Sequence, residues 1–187
     1  MPQKLNISDF LALTNGIPIA DVRSPKEYDH GHIPGAANLP IFNNDERAEV
    51  GTTYKQIGRD PAIKLGLKIA GTKLDALVEL AKIISPSKEI LVHCWRGGMR
   101  SESVAELLEQ HGFKTFTLNQ GYKAYRNYIL EQFSHTARIF ILGGMTGSGK
   151  TEILHELKNL GEQVIDLEAI AHHKGSAFGA LGQEAQP

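Results

Sequence analysis

The stretch from Glu89 to Gln110 constrains the fold of this chain more than any other. The apolar run Glu89–His93 predicts a short buried strand, and the apolar spacing of Ser101–Gln110 predicts an amphipathic helix. The loop between them begins with Cys94, the only cysteine in the sequence. A strand that passes into a helix through a short loop is typical of parallel α/β sheets, whose sites lie at the carboxyl ends of strands.

The composition of this loop favours a reactive thiol and a bound anion. The start of a helix presents free N–H groups and the positive end of its dipole, and Arg96 and Arg100 add positive charge. Gly97 and Gly98 allow the backbone to curl tightly, which other residues would resist. These features predict a lowered pKa for the Cys94 thiol. We therefore predict Cys94, Arg96 and Arg100 as catalytic residues.

The spacing of the loop indicates the shape of its ligand. Cys94 and Arg100 are separated by five residues, the Cys-x5-Arg spacing of phosphatases, which is one residue longer than the loop of an ordinary sulfurtransferase. A loop of this size suits a tetrahedral, phosphate-like group. Trp95 has two interpretations, a ring that stacks on a base or a prenyl chain, and a packing anchor. The predicted substrate-binding residues are Trp95, Gly97, Gly98 and Ser101.

The rest of the first 132 residues alternates between strand and helix patterns. We expect a short helix capped by Ser8, and two or more helices between Asn44 and Ile69. The other predicted strands are Ile17–Val22, Ala37–Leu39 and Lys114–Leu118, and the other predicted helices are Leu74–Ile84 and Tyr122–Gln132. The alternation predicts an α/β fold, a mainly parallel sheet with helices on both faces.

A second domain is predicted to begin after a linker at residues 133–137. Arg138–Leu142 predicts a new strand, Glu152–Leu160 a helix and Gln163–Asp166 a further strand. The segment between the first strand and the helix matches the P-loop pattern G-x-x-x-x-G-K-[ST]. We predict that residues 138–187 are the start of a P-loop α/β domain, and we expect this domain to be truncated.

The P-loop pattern assigns phosphate binding to particular residues. Its glycines let backbone amides approach a phosphate, the lysine reaches a terminal phosphate, and the threonine is placed to ligate Mg²⁺. The predicted phosphate-binding residues are Gly144, Gly147, Gly149, Lys150 and Thr151. Asp166 has two interpretations, a metal ligand and a residue that ends a strand. Whether the ligand is a nucleotide or another diphosphate stays open at this point.

The composition of the chain indicates its cellular location and argues against some classes of partner. The chain has 187 residues and a formal net charge of -1, so charge gives no whole-chain indication of nucleic-acid binding. No run approaches the roughly 18 apolar residues of a membrane span. A single cysteine and an N-terminus without an apolar signal segment favour the cytoplasm. No cluster of histidines has cysteine partners at the spacing of a metal site, so no resident metal is predicted.

Two families share these motifs. A string near the N-terminus resembles rhodanese domains over about residues 1 to 132; it comprises Asp21–Arg23, Glu27–Tyr28 and Gly31–Ala36. The loop Cys94–Ser101, followed by a P-loop, resembles the tRNA 2-selenouridine synthase family more closely than other rhodaneses. Two later segments look like the continuation of the same family, namely Asp166–Glu168 and His173–Gly179.

The resemblance implies a particular reaction. The family replaces sulfur by selenium at the 2-position of the modified wobble uridine of tRNA, with selenophosphate as donor. It does so through an S-geranyl-2-thiouridine intermediate made from geranyl diphosphate. Cys94 is then expected to attack the donor or the intermediate and to carry selenium transiently. The P-loop ligand is either the prenyl diphosphate or a nucleotide, with Mg²⁺ as a candidate companion.

Two other functions are compatible with the same residues. The Cys-x5-Arg spacing also fits a rhodanese-fold phosphatase or arsenate reductase, although no general acid is evident near the loop. The chain would alternatively be a binding module in which the P-loop senses nucleotide and Cys94 is silent. If a C-terminal portion is missing, we expect the 187-residue chain alone to have weak or no full activity.

Overall fold

A computed structural model describes residues 2–136, 138–145, 147–175 and 178–184 of the chain. The chain divides into two compact units, Met1–His135 and Thr136–Pro187, and each is considered by itself. Some predicted features fall partly outside the described residues. They are the end of the linker at Ala137, position Thr146 of the P-loop, residues 176–177 of the family segment and the last residues, 185–187.

The first unit is built on a five-stranded sheet in which every pairing is parallel. The strand order is β1-β5-β4-β2-β3, so β4 lies at the centre. The strands are β1 (Gln3–Leu5), β2 (Ile19–Asp21), β3 (Ala36–Asn38), β4 (Glu89–His93) and β5 (Lys114–Leu118). The predicted parallel sheet is confirmed.

Seven helices accompany the sheet in this unit. They are α1 (Ile7–Leu13), α2 (Pro25–Asp29), α3 (Asn44–Gln56), α4 (Arg59–Gly71), α5 (Leu74–Ile84), α6 (Met99–Gln110) and α7 (Gly121–Gln132). The two or more helices expected between Asn44 and Ile69 are therefore α3 and α4. Across the described ranges, no helix is long and apolar enough to cross a membrane.

Alternate residues of the central strand enter two separate cores. Ile90 and Val92 lie in one cluster with residues of α5 and α6, whereas Leu91 lies in another with Phe10 of α1 and Phe116 of β5. A strand that is buried on both faces reads as a continuous apolar run, which is what β4 shows. Helices therefore cover both faces of the sheet, as predicted.

Three local features of this unit differ from the sequence predictions. The cap of α1 is Asn6, whose side chain accepts a hydrogen bond from the Asp9 N–H, so the prediction of Ser8 as the cap is wrong. Strand β1 was missed because it is a three-residue edge strand with only Leu5 buried. Helix α2 was missed as well, although Ser24 and Glu27 form a capping box at its start.

The second unit contains two helices in its described part, α8 (Lys150–Asn159) and α9 (Leu167–Ile170). The strands predicted at Arg138–Leu142 and Gln163–Asp166 are not formed. A strand needs a hydrogen-bonded neighbour, and no described residue of this unit belongs to a strand. The apolar side chains of the first segment are accordingly exposed, and Ile141 has 92% of its surface accessible.

Candidate active site

The candidate site lies at the carboxyl edge of the sheet, where β2 and β4 end side by side. Asp21 at the end of β2 pairs in register with His93 at the end of β4. Cys94 follows immediately, and helix α6 begins five residues later at Met99 with Gly98 as its cap. The predicted strand, loop and helix around Cys94 are therefore confirmed.

Two glycines allow the Cys94 loop to lie directly against the turn before α7. Gly97 has φ 62°, and a Cβ at this position would lie 2.4 Å from the Leu118 carbonyl oxygen. Gly121 has φ 57°, and its Cβ would lie 2.3 Å from the Cys94 carbonyl oxygen. Both positions require glycine on two grounds, backbone angle and space. The tight curl predicted from Gly97 is thus confirmed.

Hydrogen bonds from the start of α7 fix the carbonyl side of the loop. The Tyr122 N–H donates to the Cys94 carbonyl at 2.8 Å, and the Lys123 N–H donates to the Trp95 carbonyl at 3.1 Å. The loop N–H groups of residues 95–97 and 99–100 donate to no acceptor in the described part of the chain. The loop therefore keeps donors for a ligand while its acceptors are already bonded.

The Cys94 thiol is buried, with 3% of the residue exposed, in surroundings that favour the thiolate. Burial raises the pKa of the thiol. The Ser101 hydroxyl at 3.2 Å from Sγ, the charge of Arg100 and the N–H groups of Gly98 and Ser101 outweigh burial, so the pKa of Cys94 is lowered. The Ser101 Oγ also lies 3.0 Å from the Gly98 carbonyl oxygen, so its single proton has a second acceptor when Cys94 is neutral.

Arg100 is held by a carboxylate from a distant part of the chain. Its Nη1 lies 2.8 Å from Oε2 of Glu27, and its Nη2 lies 3.4 Å from Oε1. Burial raises the pKa of Glu27, but the hydrogen bond and charge of Arg100, assisted by the Ser24 N–H and Arg47, lower it below its ordinary value. Glu27 is therefore a carboxylate, and it orients Arg100 on the side of the loop.

A buried ion pair supports the site from below. Asp21 and Arg23 are both fully buried, and their carboxylate and guanidinium meet at 2.6 Å. The Arg23 guanidinium also lies 4.1 Å from the centre of the Tyr122 ring and 5.7 Å from that of Trp95, in cation–π geometry. Asp21 and Arg23 thus brace the fold beneath the Cys94 loop.

His93 is a second buried group beside the loop. Its Nε2 lies 3.7 Å from Oδ2 of Asp21, and neither ring nitrogen has a hydrogen-bond partner of good geometry among the residues that the structure describes. Burial lowers the pKa of His93, the Asp21 carboxylate partly offsets this, and Arg23 lowers it further, to about 4. The imidazole is therefore neutral at pH 7, and it adds no positive charge beneath Cys94.

A cavity of about 520 Å³ opens above the Cys94 loop. Of the predicted site residues, it is lined by Cys94, Arg96, Gly98 and Arg100. Three further lining residues were missed, namely Met99 of α6, Tyr54 of α3 and Arg59 of α4. Tyr54 and Arg59 are about 35 to 40 residues from Cys94 in the sequence, and only tertiary packing brings them to the loop.

Three predicted substrate-binding residues do not line this cavity. Trp95 is half-buried against Tyr122, with ring centres 5.6 Å apart, so the packing interpretation describes its position. Gly97 faces the turn before α7, and the buried Ser101 acts through Sγ. Gly98 lines the cavity, but its φ of -116° is open to any residue, so the prediction that its backbone requires glycine is wrong.

The P-loop in the second unit has different surroundings. Its lysine, Lys150, donates hydrogen bonds to the carbonyls of Gly144 and Met145 at 3.0 and 2.9 Å. Gly147 and Gly149 have φ 80° and 78°, the left-handed region that favours glycine. The loop thus has the glycine geometry that the motif predicts, and its lysine is bonded to the loop's own carbonyls.

Asp166, for which the sequence left two interpretations, lies at the start of a helix. It caps α9 by accepting a hydrogen bond from the Ala169 N–H at 3.0 Å, so it does not end a strand. Among the residues that the structure describes, no group of three or more His, Cys, Asp or Glu side chains is arranged to hold a metal ion.

Each unit matches a family model. Residues 7–128 match the model of the rhodanese-like domain, and residues 137–187 match that of the tRNA 2-selenouridine synthase AAA domain. A crystal structure of the N-terminal domain of a Clostridium difficile 630 protein, named for ATP/GTP binding, is similar as well. It has 39% identity and a TM-score of 0.64, and the match covers 68% of this chain and 99% of that one.

Curated relatives match both units together. A tRNA 2-selenouridine synthase from Nitrosomonas europaea is 39% identical over 183 residues, which cover 95% of this chain and 47% of the relative. One from Pseudomonas syringae pv. syringae is 42% identical over 192 residues, which cover 97% and 50%. The chain thus spans about half the length of these relatives. Through residues 7–128 it belongs to the rhodanese-like domain family, and it is homologous along nearly its whole length to tRNA 2-selenouridine synthases.

Proposed function

We propose that this chain carries the selenium-transfer site of a tRNA 2-selenouridine synthase. The observation that carries the proposal is Cys94, a buried thiol with a lowered pKa at the base of a cavity lined by arginines. Its homology to enzymes of that name supports the same conclusion. The reaction is replacement of sulfur by selenium at the 2-position of a modified wobble uridine in tRNA, in the cytoplasm.

Selenophosphate is the donor that fits the loop. It is a tetrahedral oxyanion, and the free N–H groups of residues 95–97 and 99–100, with Arg96 and Arg100, provide donors and positive charge for its oxygens. Ser101 stabilises the thiolate while the donor binds. These donors and charges support a tetrahedral anion as the ligand, as does the Cys-x5-Arg spacing.

The covalent step balances without an oxidant if the Cys94 thiolate attacks phosphorus. An S–P bond forms, the P–Se bond breaks, and selenium leaves as selenide with the bonding electron pair. Carriage of selenium on Sγ would instead require that electron pair to stay on phosphorus. We therefore place the donor's phosphoryl group on Cys94. The released selenide attacks C2 of the S-geranylated uridine, so that a C–Se bond forms, the C2–S bond breaks and geranylthiolate leaves with the bonding electron pair. Water then hydrolyses the S–P bond.

The P-loop is proposed as the site of geranyl diphosphate. Geranylation of the 2-sulfur converts it into a better leaving group, and a diphosphate is the ligand that a P-loop lysine and backbone amides bind. Lys150 has to leave the carbonyls of Gly144 and Met145 to reach such a ligand. A nucleotide with Mg²⁺ on Thr151 is the competing ligand for the same loop.

Mass spectrometry of wobble uridine tests the role of Cys94 in selenium transfer and the role of Lys150 in geranylation. Cells that lack the protein are complemented with the wild type, Cys94→Ser or Lys150→Ala. We expect 2-selenouridine with the wild type, S-geranyl-2-thiouridine to accumulate with Cys94→Ser, and unmodified 2-thiouridine to persist with Lys150→Ala. Normal 2-selenouridine in Cys94→Ser cells would contradict the proposal.

The Cys-x5-Arg spacing keeps a phosphatase as the second candidate. A phosphatase needs a proton for its leaving group, and Glu27, the carboxylate bonded to Arg100, is kept ionised by its lowered pKa. We therefore expect slow hydrolysis of aryl phosphates by the wild-type chain. Rapid hydrolysis that is abolished in Cys94→Ser would favour the phosphatase instead.

A further inference from the structure

The helical pair α3 and α4 provides part of the Cys94 cavity and lies outside both the Cys94 loop and the P-loop. Helix α3 contributes Tyr54, and helix α4 contributes Arg59, its first residue. Gly58 makes the turn between the helices with φ 133°, a conformation that favours glycine. The cavity therefore lies between the Cys94 loop and these two helices.

Packing holds this helical pair in place. The buried face of α4 consists of small residues at helical spacing, Ala62, Gly66 and Ala70. Gly66 lies so close to the buried Phe42 that a Cβ would be 3.3 Å from its ring, and 4.0 Å from Val50 of α3. Close backbone contact of this kind fixes α4 against α3. The positions of Tyr54 and Arg59 are thus set by the fold.

The side chains of Tyr54 and Arg59 are available to a ligand. Tyr54 is 59% exposed, and Arg59 is exposed as well. Neither makes a hydrogen bond or an ion pair with another residue that the structure describes. Arg96 is also exposed and unpaired within the same described ranges, whereas Arg100 is paired with Glu27. The cavity mouth therefore has two unpaired guanidinium groups and one exposed aromatic ring.

These groups exceed what a single small anion requires. A cavity of about 520 Å³ lies in the size range that holds nucleotide-sized ligands. A bare oxyanion gains nothing from an aromatic ring, whereas an unstacked base of single-stranded RNA stacks on one. Guanidinium groups pair with backbone phosphates. The combination therefore matches a nucleotide within an RNA strand.

We propose that Tyr54 and Arg59 form the RNA-binding rim of the Cys94 cavity. Tyr54 stacks on a base at or beside the reacting nucleotide, and Arg59 pairs with a phosphate of the RNA backbone. The donor anion binds deeper, at the Cys94 loop. This inference rests on the proposed function, because it assigns the tRNA substrate to residues outside both sequence motifs.

The 187-residue chain and a fluorescent RNA hairpin with a uridine in its loop provide the test. Binding is measured by anisotropy over a series of KCl concentrations. Arg59→Ala is expected to weaken binding about tenfold and to reduce the log–log salt slope by roughly 0.7, the value for one lost single-strand phosphate contact. Lys68→Ala removes an exposed charge from the same helix, away from the cavity, and is expected to leave both quantities unchanged.

Tyr54 is tested by a pair of variants. Tyr54→Ala is expected to weaken binding by roughly tenfold without changing the salt slope, since stacking involves no counterion release. Tyr54→Phe keeps the ring and is expected to bind like the wild type. A purely structural role for Arg59 would alter affinity without altering the slope, so an unchanged slope in Arg59→Ala overturns the proposal.

Protection of Cys94 from alkylation distinguishes the binding of RNA from the binding of the small anion. The RNA hairpin is expected to slow alkylation in the wild type and much less in Arg59→Ala, while protection by inorganic phosphate is equal in both. Loss of phosphate protection in Arg59→Ala, with RNA protection intact, overturns the proposal and assigns Arg59 to the donor. If the wild type binds the RNA hairpin but Cys94 is not protected, only the proposed RNA-binding rim is overturned. If the wild type does not bind the hairpin, the proposed function itself is contradicted.

Discussion

The chain contains two glycine-rich loops that precede a helix, and their surroundings differ. The Cys94 loop follows a central strand that is buried on both faces, and its glycine Gly97 fits against the backbone at Leu118. The P-loop follows a segment without a strand, and nothing lies within 4 Å of the position a Cβ would take at Gly147. Each loop has the composition of an anion site, but only the first is fixed by contacts from several elements of its unit.

This difference shows that the sequence motif of a loop does not determine whether other elements pack against that loop. Lys150 is bonded to carbonyls of its own loop, while Arg100 is bonded to Glu27 from another helix. Substitutions at the closely packed positions around Cys94 should therefore alter the stability of the first unit, and substitutions in the P-loop should alter ligand binding alone.

The largest effect is expected at the buried ion pair beneath the Cys94 loop. Asp21→Asn leaves the fully buried Arg23 guanidinium without its carboxylate, and breaking a buried pair in this way costs about 3 to 5 kcal/mol. Urea denaturation measures the loss in the free energy of unfolding. Lys82→Ala breaks the exposed pair with Glu79 and is the control, expected to change little. Equal losses in the two variants would refute the supporting role of Asp21.

A pH dependence of stability is expected from His93. In the unfolded chain the pKa of the imidazole is about 6.5. In the fold, burial lowers this pKa, the Asp21 carboxylate partly offsets the effect and Arg23 adds to it, so the pKa is about 4. Between these values the unfolded state holds more protons, so stability falls as the pH falls from 6.5 to 4. The loss is about 3 kcal/mol. Denaturation of the wild type and His93→Gln measures it, and an equally steep dependence in the variant would count against His93.

Glycine substitutions compare the two loops directly. Gly97→Ala combines a left-handed backbone with a clash against the Leu118 carbonyl, and we expect a loss of about 2 to 3 kcal/mol in the unfolding free energy of the first unit. Gly98→Ala meets open space at an ordinary φ and should change stability little. Gly147→Ala in the P-loop should leave the first unit unaffected. Thermal unfolding distinguishes the three, and a stable Gly97→Ala protein would show that the loop is not fixed as described.

The smallest effect concerns the thiol itself. Ser101→Ala removes the hydroxyl that lowers the pKa of Cys94, so the pKa rises and less thiolate is present at neutral pH. Alkylation by iodoacetamide at pH 7 should become about tenfold slower, because a hydrogen bond to a charged group is lost. Lys150→Ala in the P-loop serves as the control with an unchanged rate. A rate equal to the wild type in Ser101→Ala would exclude Ser101 from thiol activation.

Short-range sequence patterns predicted those strands, helices and loops that depend on neighbouring residues. The apolar run of β4, the helical spacing of α5 and the loop between β4 and α6 are short-range features, and all were predicted from the sequence. The pairing of Arg100 with Glu27, and the approach of Tyr54 and Arg59 to Cys94, depend on how distant segments pack. No pattern within either segment specifies these contacts, so the sequence did not reveal them.

The wrong strand predictions have a related cause. The apolar segment Arg138–Leu142 has strand-like composition, but a strand forms only beside a partner. In contrast, Leu91 and Val92 of β4 each pair with a residue of β2 on one side and a residue of β5 on the other. The same composition thus gives a strand in one unit and an exposed segment without strand structure in the described part of the other.

Activation of the Cys94 thiol is measured by the pH dependence of its alkylation, since the chain has no other cysteine to contribute. We expect the wild-type rate to rise with a midpoint below the ordinary thiol value of about 8.5, and we expect Arg100→Ala, like Ser101→Ala, to move this midpoint upward. A wild-type midpoint at or above 8.5, unchanged in both variants, would contradict activation by the loop, because the loop would then hold an inert buried thiol.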